Sequence, residues 1–140
     1  MLSKDPPDEA EISSCKSIIR KEIENIFLIE EKSDEVIAVA GTPTTLACIK
    51  KGLTNYNESK IEGDILTRED LSNFTYQLAL LSSRKIKEQY NSVVNGREDV
   101  LFTGTLLLSE IMNHLNINKF TVSTRGVRYG AIIQYLQNLS

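Results

Sequence analysis

Val36-Ile37-Ala38-Val39-Ala40-Gly41-Thr42 is an unbroken apolar run closed by Gly-Thr, and Val100-Leu101-Phe102-Thr103-Gly104-Thr105 has the same form. Each is followed by a helical pattern, Thr44 to Lys51 and Leu106 to Leu115. A short apolar strand that ends in Gly and turns into a helix is the repeating unit of an α/β sheet buried on both faces. Glycine permits a tight turn or the close approach of a ligand. The helix that follows points unpaired N–H groups at whatever occupies the turn, and an anion suits that place best. The two runs therefore predict two candidate anion seats at one edge of one sheet.

The remaining segments fit this class. Asp5 reads as an N-cap and Pro6 as the first helical residue, and Ile12, Cys15, Ile19, Ile23 and Ile26 form one apolar stripe. An amphipathic helix is expected over about 7–29. Pro43 suits the start of the next helix and Gly52 its end. Residues 60–66 read as extended. Thr67-x-x-Asp70 imitates a capping box and opens a helix to about Leu81, with Ser83 capping a shorter one to about Asn91. Asn95-Gly96 is a turn into the second apolar run. Phe120-Thr121-Val122-Ser123 is a weaker strand, and Val127 to Leu139 a final helix. The reading is a single unit over 1–140, with about three strands flanked by helices.

Composition narrows the function. The chain is 41% hydrophobic and 25% charged, as a folded globular domain requires, which argues against wholesale disorder. Its net charge is −3, and residues 1–35 carry ten acids against five bases. From Lys119 onward the charged residues are Lys119, Arg125 and Arg128, with no acid. No broad basic face is apparent, so nucleic acid is not an expected partner, whereas a small polyanion at the C-terminal part is compatible. No apolar run reaches about 18 residues, so neither a membrane span nor a membrane partner is expected, and cytoplasm is the default location. Cys15 and Cys48 lack metal-ligand spacing and read as buried thiols within helices. One histidine, His114, and no acidic cluster beside it leave no hydrolase triad and no zinc site.

In order along the chain, Asp5-Pro6-Pro7, Gly41-Thr42-Pro43-Thr44-Thr45-Leu46-Ala47, Ile61-Glu62-Gly63, Arg97-Glu98-Asp99-Val100, Thr103-Gly104 and Val122-Ser123-Thr124-Arg125-Gly126-Val127-Arg128-Tyr129-Gly130 form a recognisable series. The chain resembles the exopolyphosphatase / guanosine pentaphosphate phosphatase (Ppx/GppA) family, within the actin–Hsp70–sugar kinase superfold, over nearly all of its length. The resemblance implies a partial actin-like, ribonuclease H-like domain: the C-terminal part of the family's second domain, without the β-hairpin that opens it. The first domain, with its phosphate loop and catalytic Glu, has no counterpart, and the chain contains no Asp-x-Gly and no Gly-x-Gly. The expectation is one wall of a hydrolysis cleft for polyphosphate or pppGpp, binding weakly and inactive alone. A natural truncation, a split-gene partner and an expressed piece are equally compatible origins. The alternative is a non-catalytic phosphate-binding or protein-interaction module derived from that family. No catalytic residue and no cofactor is assigned to this chain, and Mg2+ is expected for the complete enzyme. The expected partner is a chain carrying the first domain, or a second copy.

The residue assignments keep two readings each. Gly41, Thr42, Thr44 and Thr45 could contact phosphate oxygens through backbone N–H groups and hydroxyls; equally, Gly41 permits the turn and Thr42 caps the helix. Arg125, Gly126 and Arg128 form the other phosphate-binding candidate, since Arg donates to phosphate with specific geometry; solvated or salt-bridged arginines are the other reading. Gly104 and Thr105 match the turn that faces the nucleotide in related kinases, or a plain βα turn. Gly130 and Ala131 leave a notch in the last helix, where the superfold packs it against its first-domain counterpart. Arg97 and Asp99 are each expected in an internal salt bridge to a helix end. Two positions depart from the family pattern: Tyr129 stands where members usually carry Glu, and Glu62 where the family's His precedes Gly.

Overall fold

A computed structural model describes residues 3–26, 35–94 and 96–139. In chain order the elements are α1 (Glu9–Ile26), β1 (Ile37–Ala38), α2 (Gly41–Lys50), α3 (Glu58–Ile61), β2 (Ile65–Thr67), α4 (Arg68–Ala79), α5 (Ser83–Tyr90), a 3-10 turn (Asn91–Val93), α6 (Leu101–His114), β3 (Lys119–Val122) and α7 (Val127–Gln137). The fold is α/β, with a three-stranded sheet in the order β1-β3-β2. β3 is the middle strand, parallel to β1 and antiparallel to β2. Thr121 pairs with Ile37 on one side and Ile65 on the other.

The second apolar run is not a strand. Val100 to Thr105 enters α6, and Leu101, Phe102, Thr105, Leu106, Ser109 and Met112 are buried along it. That spacing is one broad face of a helix. A run as short as Val100-Leu101-Phe102 reads equally as a buried strand or a buried helix turn, and the long helical pattern after it decides between them. Gly104 therefore does not mark a strand-to-helix turn. It lies within the first two turns of α6, where a Cβ would stand 2.5 Å from the hydroxyl oxygen of Thr42. Thr105 is buried and donates its hydroxyl proton to the Leu101 carbonyl at 2.8 Å. The nucleotide-facing turn expected at Gly104-Thr105 is thus replaced by a helix crossing between α2 and α6.

α6 is the packing centre, against α1, α2 and α4. Arg20 of α1 reaches the buried carboxylate of Glu110 at 2.5 Å. Arg68, in the first turn of α4, donates to the Ile117 carbonyl at 3.1 and 2.9 Å and to Asn116 Oδ1 at 3.1 Å, at the end of α6. These bonds tie the start of α4 to the loop that follows α6. The capping box at Thr67 and Asp70 forms as expected. Lys50 pairs with Asp70 at 2.8 Å, tying α2 to α4.

Other boundaries shift. α1 starts at Glu9, and its first turn is capped by Asp8, whose carboxylate accepts the Glu11 N–H at 2.9 Å. Asp5 instead accepts the Ser83 N–H at 2.8 Å and joins the N-terminal segment to α5. Residues 27–29 of the expected first helix and Asn95 of the expected turn lie outside the described residues. Of residues 60–66, Lys60 and Ile61 close α3, and only Ile65 and Leu66 belong to β2. α2 begins at Gly41 itself, before Thr44.

One face of the sheet is covered and one is not. Leu66, Phe120 and Val122 are buried, whereas Ile37 is 57% and Ile65 42% exposed. α7 has no buried residue.

The crossing at Gly104 makes a stability prediction. Gly104→Ala improves helix propensity by about 1 kcal/mol, yet forces its methyl into Thr42. Overpacking costs about 1–3 kcal/mol, so Gly104→Ala is expected to lower the urea midpoint. Thr42→Ala removes the obstructing atoms, and the double variant is expected to regain the loss relative to Thr42→Ala alone.

Candidate functional site

A cavity of about 870 Å3 opens where β1 passes into α2 and where β3 passes into α7. Both junctions are dictated locally. β1 and β3 lie side by side and parallel, so their C-terminal ends face the same edge of the sheet. Each strand is followed by a helix starting at that edge, α2 at Gly41 and α7 at Val127. The first N–H groups of a helix have no intrahelical partner. At α2 the N-cap is Ala40, which supplies no side-chain cap; at α7 it is Gly126, likewise without one.

Of the residues expected from sequence, Gly41, Thr44, Thr45, Gly126 and Arg128 line this cavity. Thr42 and Arg125 do not. Thr42 turns toward Gly104 of α6. Arg125 lies toward Glu62, its Nε 3.9 Å from the carboxylate. The hydroxyl of Thr44 donates to the Ala40 and Gly41 carbonyls of its own helix at 3.0 and 3.1 Å. Thr45 is 3% exposed. Gly130 and Ala131 lie on the exposed α7, with open space beside Gly130.

Arg97 joins these residues. A Cβ on Gly41 would stand 1.3 Å from Nη1 and 2.1 Å from Cζ of Arg97. The guanidinium therefore lies directly over the Gly41 backbone, where only a glycine leaves room. The internal salt bridges expected for Arg97 and Asp99 do not form among the described residues. Glu98, between them, takes the ion pair instead, with Lys87 at 2.9 Å. The reason is helical geometry: the chain turns into α6 right after Arg97, whose carbonyl accepts the Leu101 N–H at 2.9 Å. Arg97 thus projects from the foot of α6 to the foot of α2. In sequence Arg97 is a basic residue just ahead of an apolar run, within the Arg97-Glu98-Asp99-Val100 stretch of the family series, and nothing there points it at Gly41.

The rest of the lining is mixed. Tyr56 and Glu58 come from the α2–α3 loop and α3, and Val39, Val93, Val94, Val127, Tyr129 and Ile132 supply apolar walls. Burial pushes the Tyr56 phenol above its ordinary pKa, and the charge of Glu58 adds to this. Against that one acid stand Arg97, Arg128 and two helix N-termini, so the floor of the cavity favours an anion. Among the described residues, no group of three His, Cys, Asp or Glu side chains gathers that could hold a metal ion. No described helix is long and apolar enough to cross a membrane.

Residues 1–139 match the model of the Ppx/GppA phosphatase family. The chain belongs to that family. It is 26% identical over 135 residues to Exopolyphosphatase 2 of Mycobacterium tuberculosis, covering 92% of this chain and 42% of that protein. It is 24% identical over 124 residues to the bifunctional 3-dehydroquinate synthase/phosphatase of Fusobacterium nucleatum, covering 89% of this chain and 18% of that one. Among solved structures, the Ppx/GppA family member of Aquifex aeolicus superposes with a TM-score of 0.91 at 21% identity, over 99% of this chain and 44% of that one. An exopolyphosphatase-like protein gives 0.91 at 23%, over 99% and 47%. The chain thus spans less than half the length of these relatives.

Ala40 shows how tightly the Ppx/GppA-type junction is bent. Its φ of 80° and ψ of −169° fall in a region that essentially only glycine occupies. Such a residue stores on the order of 1–3 kcal/mol. Ala40→Gly is therefore expected to raise stability by about 1 kcal/mol after the entropic cost of glycine, read as a higher urea midpoint with unchanged slope.

Proposed function

We propose that this chain forms one wall of a phosphate-binding cleft of the Ppx/GppA type, with polyphosphate or pppGpp as the ligand. One observation carries the reading: the Arg97 guanidinium over Gly41, at the uncapped start of α2, in the same cavity as Arg128 and Gly126. Helix N–H groups and forked guanidinium donors are the chemistry that grips phosphate oxygens. Within this proposal Gly41, Gly126, Arg97 and Arg128 hold the phosphates. Thr44 and Thr45 shape the floor, while Thr42 braces α2 from behind.

Phosphoanhydride hydrolysis also needs an oriented water, a base and compensation of developing charge. We assign the base to the other wall, supplied by a first-domain chain. The Mg2+ expected for a complete phosphatase has no set of three His, Cys, Asp or Glu ligands among the described residues of this wall. The alternative is a binding module of the same family that retains the cavity without the chemistry.

The test is phosphate release from long-chain polyphosphate and from pppGpp, with Mg2+ present. The chain alone is expected to show none. Turnover near ~1 per second, an ordinary enzyme value, would overturn the assignment of the base to another wall. Adding the family's first domain in trans is expected to restore hydrolysis; phosphate binding without restoration would favour the alternative. A half-site without its opposite wall is expected to bind with a Kd of roughly 1 mM, or about 4 kcal/mol. Amide shifts should centre on Gly41 and Gly126, and Arg97→Gln should weaken binding about tenfold, a charged hydrogen bond being worth about 1.5–3 kcal/mol.

The partner proposal has its own support. β1 pairs with β3 on one side, and among the described residues nothing pairs on the other. The Val36 and Ala38 carbonyls accept from Thr121 and Ser123, which turns the intervening Ile37 N–H toward the open edge. Such an edge invites a further strand, and Ile37 and Val39 beside it are exposed apolar residues. Concentration-dependent association is expected by analytical ultracentrifugation at micromolar protein, with Ile37 and Val39 amides exchanging faster on dilution. A monomer in which both exchange slowly would refute it.

A further inference from the structure

Glu62 lies just behind the α7 end of the cavity and gathers the donors an anion there would use. Its Oε2 accepts the Thr124 N–H at 2.6 Å and the Thr124 hydroxyl at 2.6 Å. Its Oε1 accepts the Ser123 hydroxyl at 3.0 Å and lies 3.9 Å from Nε of Arg125. Ser123 Oγ in turn accepts the Arg125 N–H at 3.1 Å. The carboxylate is itself fixed in place. The neighbouring Gly63 N–H donates to the Val122 carbonyl at 2.9 Å, and Val122 returns its N–H to Asp64 at 2.7 Å, so the Glu62-Gly63 turn is bonded to the end of β3. Bonds from Thr124 hold the Glu62 carboxyl below its ordinary pKa, so it is charged at neutral pH.

The consequence is a division of labour among the arginines. Thr124 and Gly126 line the cavity, but Arg125 does not. The Thr124 hydroxyl proton is donated to Glu62, and the exposed Arg125 guanidinium lies beside the same carboxylate in a loose ion pair. We infer that Glu62 is a positioning residue acting as an internal anion: it holds the Ser123-Thr124-Arg125 loop and withholds Arg125 from the cavity, leaving Arg97 and Arg128 to a phosphate ligand. This deepens the phosphate-binding reading above and rests on it. It makes residue 62 a determinant of how much negative charge the wall accepts. A carboxylate at this place competes with an incoming phosphate chain for Arg125, and a neutral residue would release the arginine to it.

The test titrates inorganic tripolyphosphate into the 140-residue chain and follows amide NMR shifts. Glu62→Gln is expected to bind about threefold more tightly, the scale of one exposed ion pair. The gain is expected to vanish in Glu62→Gln/Arg125→Gln. Glu62→Asp, which keeps the charge, should remain close to wild type. Arg125→Gln alone is expected to change affinity little, and since Arg125 is exposed this variant tests the proposal even if Glu62→Gln folds poorly. Unchanged or weaker binding by folded Glu62→Gln would overturn the inference, and so would a threefold loss on Arg125→Gln alone. Wild-type shifts at Gly41 that accompany either result leave the cavity reading standing. No shift at Gly41 in any variant would sink both.

Discussion

The crossing of α2 and α6 is the constraint on which the cavity depends. Gly104 lets Thr42 approach until oxygen and backbone are in contact. On the other side of the same turn, Gly41 lets the Arg97 guanidinium lie on its backbone. Two glycines, one in each helix, therefore set the separation of the helix feet, and that separation sets where Arg97 stands. The start of α2 is clasped between α6 and the arginine that precedes α6. A helix N-terminus left in water is a weak and screened anion site. Held beside a guanidinium and at the bottom of a cavity, it becomes a directed one.

The packing of the domain serves this arrangement. α6 is buried along most of its length and meets α1, α2 and α4. The Arg20–Glu110 pair gives a partner to a carboxylate that would otherwise be buried alone, and the Arg68 bonds tie the start of α4 to the loop after α6. Burial is one-sided, however. The sheet's inner face is covered, and its outer face, the β1 edge and the whole of α7 lie open. The rigid half of the cavity, at α2 and Arg97, is therefore backed by core, and the α7 half by the hydrogen bonds of Glu62 with the loop before it.

Family membership and this geometry support each other without being the same statement. The match over residues 1–139 and the superposition on the Aquifex aeolicus protein concern fold and descent. The cavity concerns chemistry: Tyr129 makes part of its wall aromatic, and Glu62 lies behind it, bonded to Ser123 and Thr124.

Much was legible in the sequence because it is local. The capping box at Thr67-Asp70, the stop of α2 before Gly52, and the apolar stripe of α1 follow from side-chain period and cap chemistry, which act over one or two turns; the start of α2 at Gly41, ahead of Pro43 and without a side-chain cap, does not. The strand expected at Val100–Thr103 failed because an apolar run of that length satisfies either period, and burial against α2 and α4 makes it helix. Arg97 and Gly41 could not be joined from sequence, since nothing local links residues brought together only by the α2–α6 crossing. Arg125 and Arg128, three positions apart, read alike in sequence. Tertiary structure separates them, because the Glu62 turn bonded to β3 takes one and leaves the other at the cavity.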